Sequence, residues 1–316
     1  MHDVDVVIVG GGPAGSTCAW KLGQAGIDLL VLDLAKFPRT KLCAGWITPG
    51  VVNDLELDIN SYPYSFMSFD KLHFHFNHFD FAKKTTQHSI RRFEFDEFLL
   101  SRSGAEVRQH QVKKIEKQDG LFIIDDLYRC KYLIGAGGTR CPVYREIFHD
   151  LQPRNKSLQI ATYEQEFPYD WENDECHLWF LGDGLPGYAW YVPKANGHIN
   201  VGLGGKAEKM KAEGRRLQSF WDGFTTKLAG NALVNDVELK PTGYSYYLRG
   251  NVDVIRDGNA LIVGDAVGLA SIDMGEGIGP AVQSALLAAD AIVNHGEYNL
   301  KKLARFSVPG FFRNRN

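Results

Sequence analysis

Apolar and polar residues at the start of the chain predict a compact strand, helix, strand unit. Residues 5–10 are apolar and mostly β-branched, which is typical of a parallel strand buried on both faces. The segment from Pro13 to about Ala25 predicts a helix, and the apolar run from Ile27 to Leu32 predicts a second buried strand. This order predicts an α/β domain built on a parallel sheet.

Three glycines and one acidic residue add chemistry to this unit. Gly10, Gly12 and Gly15 have the spacing GxGxxG, in which the glycines allow a tight turn, close approach of a pyrophosphate and packing of helix on strand. The helix start at Pro13 and Ala14 offers free N–H groups to phosphates. Asp33 ends the second strand, where its carboxylate can accept hydrogen bonds from ribose hydroxyls. The unit therefore predicts a dinucleotide site.

A second motif near the C-terminus favours FAD over NAD. Residues 260–266 predict a buried strand that ends in Gly264-Asp265, and residues 274–280 form a glycine-rich turn before a long apolar helix. An aspartate beside a glycine turn suits a ribityl chain, and a helix N-terminus can stabilise charge on a reduced flavin. The alternative is that Asp265 only caps a helix and the glycines only turn the chain.

The middle of the chain alternates between apolar and polar residues with a period of two. In residues 71–77, Leu72, Phe74 and Phe76 share one face of a predicted strand, and four similar strands are predicted within residues 158–203. These strands predict a separate antiparallel sheet. We therefore predict a discontinuous FAD-binding domain of residues 1–60, 90–155 and 243–316, with an inserted substrate domain of residues 61–89 and 156–242.

Composition and charge narrow the range of partners. The chain has 316 residues, a formal net charge of −3 and five cysteines that form no CxxC pair. The charge gives no general attraction for nucleic acid, so a small apolar substrate is the expected partner. The absence of a secretory leader and of an apolar run long enough for a bilayer favours reduced thiols and a cytoplasmic location.

The motifs resemble the FAD-dependent oxidoreductase superfamily of para-hydroxybenzoate hydroxylase and, more closely, the geranylgeranyl reductase family. The likeness rests on Arg92-x-x-Phe95-Asp96, on residues 132–138, on Lys41-Leu-Cys43-Ala-Gly-Trp46 and on Gly187-Tyr188-Ala-Trp190. It implies a Rossmann-like FAD domain with an inserted antiparallel-sheet substrate domain. It also implies that Cys43, Tyr188 and Trp190 act at the active site.

The motifs and the resemblance together predict a set of residues that contact FAD, and no metal site. The predicted cofactor-binding residues are Gly10, Gly12, Pro13, Ala14, Gly15, Asp33, Leu34, Arg39, Cys43, Ala44, Gly45, Arg92, Val112, Gly135, Gly264, Asp265, Gly275, Gly277, Ile278 and Gly279.

One residue departs from the pattern of the superfamily. Relatives commonly have Gly-Ala-Asp-Gly where this chain has Gly135-Ala136-Gly137-Gly138, so a carboxylate that hydroxylases associate with FAD and nicotinamide handling is missing. The external reductant therefore stays open among NADPH, NADH and another donor.

The resemblance implies reduction of carbon–carbon double bonds in an isoprenoid or other apolar substrate. Two alternatives remain: a flavin-dependent aromatic monooxygenase, and a redox-neutral flavoprotein that binds lipid or cyclises an isoprenoid. The chain ends about 35 residues after the glycine-rich helix start, so we expect a shorter substrate tunnel than in the reductases. The oligomeric state stays open.

Several weaker signals receive structural interpretations. The GxGxxA-like segment 202–207 follows a strand with polar residues, which argues against a second dinucleotide site. His73 and His75 lack a third ligand on the same strand face, so we expect no metal there. Residues 206–228 predict one surface helix. The basic and aromatic tail suits two interpretations, a weak contact with an anionic membrane surface or a solvated, partly frayed terminus. Its residues are Lys301, Lys302, Arg305, Phe306, Phe311, Phe312, Arg313 and Arg315.

Overall fold

The structure is a computed structural model, and it describes residues 1–307 of the chain. The chain divides into two compact units. The first unit contains Met1–Arg39, Phe95–Arg154 and residues 247–307, and the second contains Thr40–Glu94 and Asn155–Tyr246. The predicted boundaries instead gave residues 40–60 to the nucleotide-binding domain. These residues join the second unit because a two-residue strand, Trp46–Ile47, pairs with a strand of its sheet.

The first unit is built on an eight-stranded sheet whose core strands are parallel. The strands are β1 His2–Val9, β2 Leu29–Asp33, β6 Glu106–Gln109, β7 Ile115–Gln118, β8 Leu121–Ile124, β9 Tyr128–Gly135, β15 Arg256–Asp257 and β16 Ala260–Ile262. The strand order is β15-β16-β9-β1-β2-β6, and the antiparallel hairpin β7-β8 attaches to β9.

The centre of this sheet explains its apolar sequence. β1 lies between β2 and β9 and pairs with both in parallel, so Val6, Val7 and Ile8 are fully buried. The long helix α6, Ile278–Val293, packs against α1, Pro13–Gln24, and the Cys18 thiol of α1 approaches the carbonyl oxygen of Ala285 at 3.5 Å. The predicted strand, turn, helix, strand unit is confirmed in type and order, with its second strand beginning at Leu29.

The second unit is built on another eight-stranded sheet. Its strands are β3 Trp46–Ile47, β4 Phe66–His75, β5 Asp80–Ile90, β10 Gln159–Pro168, β11 Cys176–Phe180, β12 Gly187–Lys194, β13 His198–Lys206 and β14 Thr242–Tyr247. Their order in the sheet is β14-β10-β13-β12-β11-β4-β5-β3. The expectation of a purely antiparallel sheet is wrong in one place, because β4 and β11 pair in parallel. These two strands come from separate segments of the chain, so no hairpin forces them to run in opposite directions.

Besides α1 and α6, the described residues form four α-helices: α2 Pro49–Asp54, α3 Arg92–Arg102, α4 Ala207–Ala212 and α5 Leu217–Gly230. The prediction of one helix over residues 206–228 is wrong. Gly214 has a φ of +66° and ends the first helical segment, which most residues other than glycine would not permit. α5 also contributes Phe220, Trp221, Phe224 and Leu228 to the buried core of the second unit. Within residues 1–307, no helix combines the length and the apolar character needed to cross a membrane.

Candidate functional site

The glycine turn of the first unit brings three backbone segments into close contact. A Cβ atom on Gly15 would lie 1.8 Å from the carbonyl oxygen of Gly10, so only glycine lets α1 pack this closely on β1. Gly10 itself has a φ of +110°, and its Cβ would lie 2.5 Å from the carbonyl oxygen of Ala136. Gly10 and Gly15 are therefore demanded by backbone packing as well as by any ligand, whereas a Cβ on Gly12 would meet only the Arg39 side chain.

Asp33 is tied to this turn through both carboxylate oxygens. Oδ2 accepts a hydrogen bond from the Gly11 N–H at 2.7 Å, and Oδ1 accepts one from the Ala35 N–H at 2.9 Å. An ionised carboxylate has about four acceptor sites, so two bonds leave capacity for ribose hydroxyls. Leu34 follows on the surface, 73% exposed, and Val112 is buried in the core of the same unit.

We predict that Asp33→Asn weakens cofactor binding by about tenfold to a hundredfold, which corresponds to about 1–3 kcal/mol for a disrupted buried hydrogen bond. The amide offers one acceptor oxygen, so its NH2 group would face one of the two backbone N–H donors. Titration of the apoprotein with FAD measures the effect. The matched control Asp28→Asn, at an exposed position, should bind as the unchanged protein does. Equal affinities for the two variants would contradict the role given to Asp33.

Arg39 reaches the same turn from the loop after β2. Its Nη1 atom lies 3.1 Å from Oδ2 of the fully buried Asp96, and its guanidinium lies 4.7 Å from the centre of the Phe37 ring. A Cβ on Gly12 would lie 3.3 Å from Arg39 Nη2. The guanidinium therefore contacts the turn at the helix start, where its charge can neutralise a diphosphate.

The late glycine motif forms a second turn of the first unit. Gly264 follows β16, and its N–H donates to Ser284 Oγ of α6 at 3.0 Å. Asp265 follows, with Oδ1 only 3.3 Å from the place of a Cβ on Gly277. Gly275 and Gly277 precede α6, and Ile278 and Gly279 are its first two residues. The cap residue Gly277 offers no side-chain acceptor.

Glu276 occupies the start of α6. Its Oε1 accepts a hydrogen bond from the Gly279 N–H at 2.5 Å, and burial raises the pKa of the Glu276 carboxyl to about 7. Ser271 and Glu276 also exchange two hydrogen bonds, through the backbone and the Ser271 hydroxyl. Glu276 therefore accepts a hydrogen bond from the first turn of α6 and stabilises the start of the helix. The sequence interpretation did not give it this role.

Arg154 is a site residue that sequence reasoning missed. Its guanidinium donates to the carbonyl oxygens of Thr139 at 2.5 Å and Ala266 at 2.7 Å, and it lies 3.7 Å from the centre of the Tyr144 ring. It therefore joins the turn after Gly135 to the turn that holds Asp265. No signal in the sequence marks Arg154, because its partners are backbone carbonyls about 15 and 110 residues away.

The first unit fits an FAD molecule in its chemical groups. The Gly10–Gly15 turn and α1 supply N–H donors, and Arg39 supplies positive charge. Asp33 retains acceptor capacity, and Asp265 is only partly buried beside the second glycine turn. At Gly135 the packing alone requires glycine, since a Cβ there would lie 2.8 Å from Val143 and 2.9 Å from Ile262; its contact with FAD stays a prediction.

In the second unit, buried polar side chains form hydrogen bonds with the backbone around Cys43-Ala44-Gly45. The Lys194 side chain is 1% exposed, and its ammonium donates to the carbonyl oxygens of Ile90 at 2.5 Å and Ala44 at 2.8 Å. Gly45 has a φ of +68°, and a Cβ there would lie 2.3 Å from Lys194 Nζ. Burial lowers the pKa of Lys194, and Glu166, whose Oε2 lies 3.4 Å from Nζ, opposes that shift.

Trp190 and Asn200 contact the same segment through a chain of hydrogen bonds. Trp190 Nε1 donates to Asn200 Oδ1 at 2.7 Å, and Asn200 Nδ2 donates to the Cys43 carbonyl oxygen at 3.3 Å. The Trp190 ring lies against Gly202, where a Cβ would approach it to 2.3 Å. Gly202 and Gly204 therefore lie inside β13 and make room for side chains of neighbouring strands.

A row of aromatic rings leads from Trp190 to the tip of the β4-β5 hairpin. Tyr188 and Trp190 alternate about Ala189 as predicted, with ring centres 5.8 Å apart. Tyr188 stacks on Phe180 at 5.1 Å, Phe180 on Phe76 at 5.2 Å, and Phe76 on Phe79 at 4.8 Å. Phe79 is 59% exposed. We call these five rings the aromatic row.

The opposite face of this sheet carries the histidines. His73 Nε2 lies 2.6 Å from Glu175 Oε2, and His75 Nε2 lies 3.0 Å from His177 Nδ1. Burial lowers the pKa of His177 to about 4. Among residues 1–307, no group of three or more His, Cys, Asp and Glu side chains has an arrangement that could hold a metal ion.

Two further predicted features are the buried arginine Arg92 and the basic tail. Arg92 opens α3 and is buried. In the tail, Arg305 donates to the Gly250 carbonyl oxygen at 2.9 Å, and Arg249 donates to those of Leu300 and Leu303. The tail residues Phe311, Phe312, Arg313 and Arg315 lie outside the described residues.

The chain is similar in sequence to a Rossmann-like domain family and to proteins that include named reductases. Residues 8–78 match a family described as an NAD(P)-binding Rossmann-like domain. An uncharacterized protein of Methanosarcina barkeri is 33% identical to this chain, covering 96% of the chain and 79% of the relative. Menaquinone reductase of Mycolicibacterium smegmatis is 27% identical, covering 92% and 77%. Digeranylgeranylglycerophospholipid reductase 2 of Methanopyrus kandleri is 27% identical, covering 84% and 70%.

A solved structure shares the fold. It is a geranylgeranyl bacteriochlorophyll reductase-like protein from Thermoplasma acidophilum, with a TM-score of 0.77 and 21% identity, covering 93% of this chain and 80% of that chain.

Proposed function

Because the chain belongs to the geranylgeranyl reductase family of flavin-dependent oxidoreductases, we propose that it binds FAD and reduces carbon–carbon double bonds of an isoprenoid-type substrate. Its relatives include reductases named for menaquinone and for digeranylgeranylglycerophospholipid. The observation that carries the proposal is the pair of glycine turns in the first unit. In the first turn, the Gly11 N–H donates a hydrogen bond to Asp33. In the second, Asp265 lies beside Gly277, the cap residue of α6.

Each end of FAD has proposed partners in the first unit. The Gly10–Gly15 turn and Arg39 bind the diphosphate, and Asp33 binds the ribose. Asp265 binds the ribityl chain, and the start of α6 stabilises negative charge on the reduced ring. When bound and reduced, the flavin supplies a hydride to the double bond.

The second unit supplies the proposed surface for an apolar substrate. Trp190 and Tyr188 form an apolar wall, and the aromatic row extends that wall toward the exposed Phe79. Aromatic faces bury a large apolar area, which suits a prenyl chain without polar groups. We propose that Cys43 contacts the substrate. The Asn200 side chain fixes the backbone of Cys43 by donating a hydrogen bond to its carbonyl oxygen.

An anaerobic experiment tests this function. The bound flavin is reduced with dithionite, the excess is removed, and either menaquinone or a digeranylgeranyl phospholipid is added. We expect the oxidised flavin spectrum to return together with a product that has gained two hydrogen atoms per reduced double bond. A hydroxylated product formed only with oxygen, or a product of unchanged oxidation level, would contradict the proposal in favour of hydroxylase or cyclase chemistry.

We predict that Tyr188→Ala raises the KM for the isoprenoid substrate about tenfold, because it removes a ring worth about 1–2 kcal/mol of apolar contact. Flavin content should not change, since Tyr188 belongs to the second unit. Steady-state kinetics at several substrate concentrations measure the effect. The surface control Leu127→Ala, at a position 51% exposed, should leave KM unaltered. An unchanged KM in Tyr188→Ala would remove the aromatic row from the substrate site.

A further inference from the structure

The exposed end of the aromatic row belongs to a continuous apolar surface at one edge of the second unit. Phe79, Phe81 and Leu181 are 59%, 40% and 56% exposed. The centre of the Phe79 ring lies 4.8 Å from that of Phe76 and 6.2 Å from that of Phe81, and the Phe76 ring stacks on Phe180 at 5.2 Å. We call these five residues the apolar tip.

Paired strands hold the apolar tip in a defined position. β4 and β11 run parallel with His75 opposite Trp179, so both strands end at the same edge of the sheet. The turn between β4 and β5 is closed by a hydrogen bond from the Phe76 N–H to the Phe79 carbonyl oxygen, at 3.0 Å. The exposed rings therefore lie on a short turn, and little conformational entropy remains to be lost when they meet a partner.

The size of the apolar tip argues against a second copy of the chain as its partner. A large apolar side chain presents about 150–250 Å², so the exposed parts of Phe79, Phe81 and Leu181 amount to about 300 Å². A stable dimer buries about 800 Å² on each partner. A lipid surface needs no such area, because apolar groups of peripheral proteins enter it to a depth of only about 5–10 Å.

The charged residues near the tip also fit the surface of a bilayer. Lys83 and Lys84 follow Phe81 on β5, which places them about 7–10 Å behind it at about 3.3 Å per residue. At that distance their ammonium groups can contact headgroup phosphates while the rings lie deeper. The acidic residue of the turn, Asp80, has a partner within the protein, since its Oδ1 lies 3.2 Å from His75 Nδ1.

We propose that the apolar tip enters the surface of a phospholipid bilayer and connects the aromatic row with substrate dissolved there. From the tip, the row continues through Phe180 and Tyr188 to Trp190. A prenyl chain partitions into lipid because burial of its apolar area is favourable, and contact with the row keeps that area out of water. This inference rests on the proposed function in choosing lipid as the apolar partner.

Sedimentation with vesicles of phosphatidylcholine and phosphatidylglycerol tests the contact without any turnover. We expect the unchanged protein to bind and to stay bound at high salt, because salt screens charges and not apolar contacts. Phe79→Ser should weaken binding by about tenfold to a hundredfold, since it removes the most exposed ring of the tip. The matched control Leu127→Ser, at a position of the first unit that is 51% exposed, should bind as the unchanged protein does.

The basic tail provides a competing explanation for any binding. Contact through the tail would be lost at high salt and in the double variant Lys301→Gln, Lys302→Gln, whereas the proposal expects this variant to bind normally. Loss of binding in the tail variant with retention in Phe79→Ser would overturn the proposal. So would a dimer that dissociates in Phe79→Ser and does not bind vesicles.

A fluorescent label decides the matter if Phe79→Ser is unstable in urea. In a Cys43→Ser background, bimane attached to Phe79→Cys should be quenched by nitroxide-labelled lipids, and bimane on Leu127→Cys should not. Absence of vesicle binding, or equal quenching at the two positions, would overturn the proposal. Vesicle binding by a protein that reduces no isoprenoid would contradict the proposed function and leave the membrane contact supported.

Discussion

Gly15→Ala is expected to abolish FAD binding and to lower the free energy of unfolding by about 4 kcal/mol or more, because overlap with backbone cannot relax by a side-chain rotation. The new methyl group would lie 1.8 Å from the Gly10 carbonyl oxygen and 3.3 Å from the Ala136 Cβ. α1 would have to move away from β1, and its N–H donors would leave the diphosphate position.

Gly23→Ala on the same helix is the matched control. A Cβ there meets only the Ser103 carbonyl oxygen, at an ordinary 3.6 Å, so the variant should bind FAD normally. It should be stabilised by about 0.5–1 kcal/mol through the higher helix propensity of alanine. Urea unfolding and FAD titration measure both variants. A Gly15→Ala protein with normal stability and flavin content would show that α1 does not depend on the close contact with Gly10.

Lys194→Met is expected to lower the free energy of unfolding by about 3 kcal/mol, since it leaves buried acceptors without donors. The methionine fills a similar volume but cannot donate to the carbonyl oxygens of Ala44 and Ile90. Glu166 keeps Arg91 as a partner, so the two carbonyl groups account for most of the loss.

The loss of the hydrogen bonds from Lys194 should change the reactivity of Cys43 as well as the stability of the protein. Without Lys194 the Ala44 carbonyl is unpaired, so iodoacetamide should label Cys43 faster than in the unchanged protein. Lys209→Met, at an exposed position of α4, is the control and should alter neither quantity. If Lys194→Met unfolds at the same urea concentration as the control, the buried ammonium does not stabilise this unit.

The nucleotide-binding part of the fold could be predicted because its signals are local. β1, the glycine turn, α1 and Asp33 follow one another within 33 residues, and each has a characteristic residue pattern. The turn at Gly264-Asp265 was predictable for the same reason. The roles of these residues in binding FAD stay predictions.

The hydrogen bonds to the backbone around Cys43 could not be predicted in the same way. The two side chains involved, Lys194 and Asn200, are separated from Cys43 by more than 100 residues, and they bond the carbonyl oxygens of Ala44 and Cys43, which carry no sequence signal. Asn200 is one of the polar residues in the strand before residue 202, and its polarity indicates only that this strand is not of the buried parallel type. Arg154 carries no sequence signal for the same reason, because it bonds the carbonyl oxygens of Thr139 and Ala266.

The position of residues 40–60 shows a further limit. A two-residue strand such as β3 is too short for a periodic pattern, so its pairing with β5 could not be seen in the sequence. Likewise, Gly214 inside a helical pattern could be tolerated or could end the helix, and only the surrounding packing decides.

The most direct test of the central claim is the visible absorption spectrum of the purified, folded protein, followed by reconstitution with FAD and a count of bound flavin. We predict the two visible bands of an oxidised flavin, one FAD per chain, and loss of those bands in Gly15→Ala but not in Gly23→Ala. A protein that stays colourless after incubation with FAD would contradict the account.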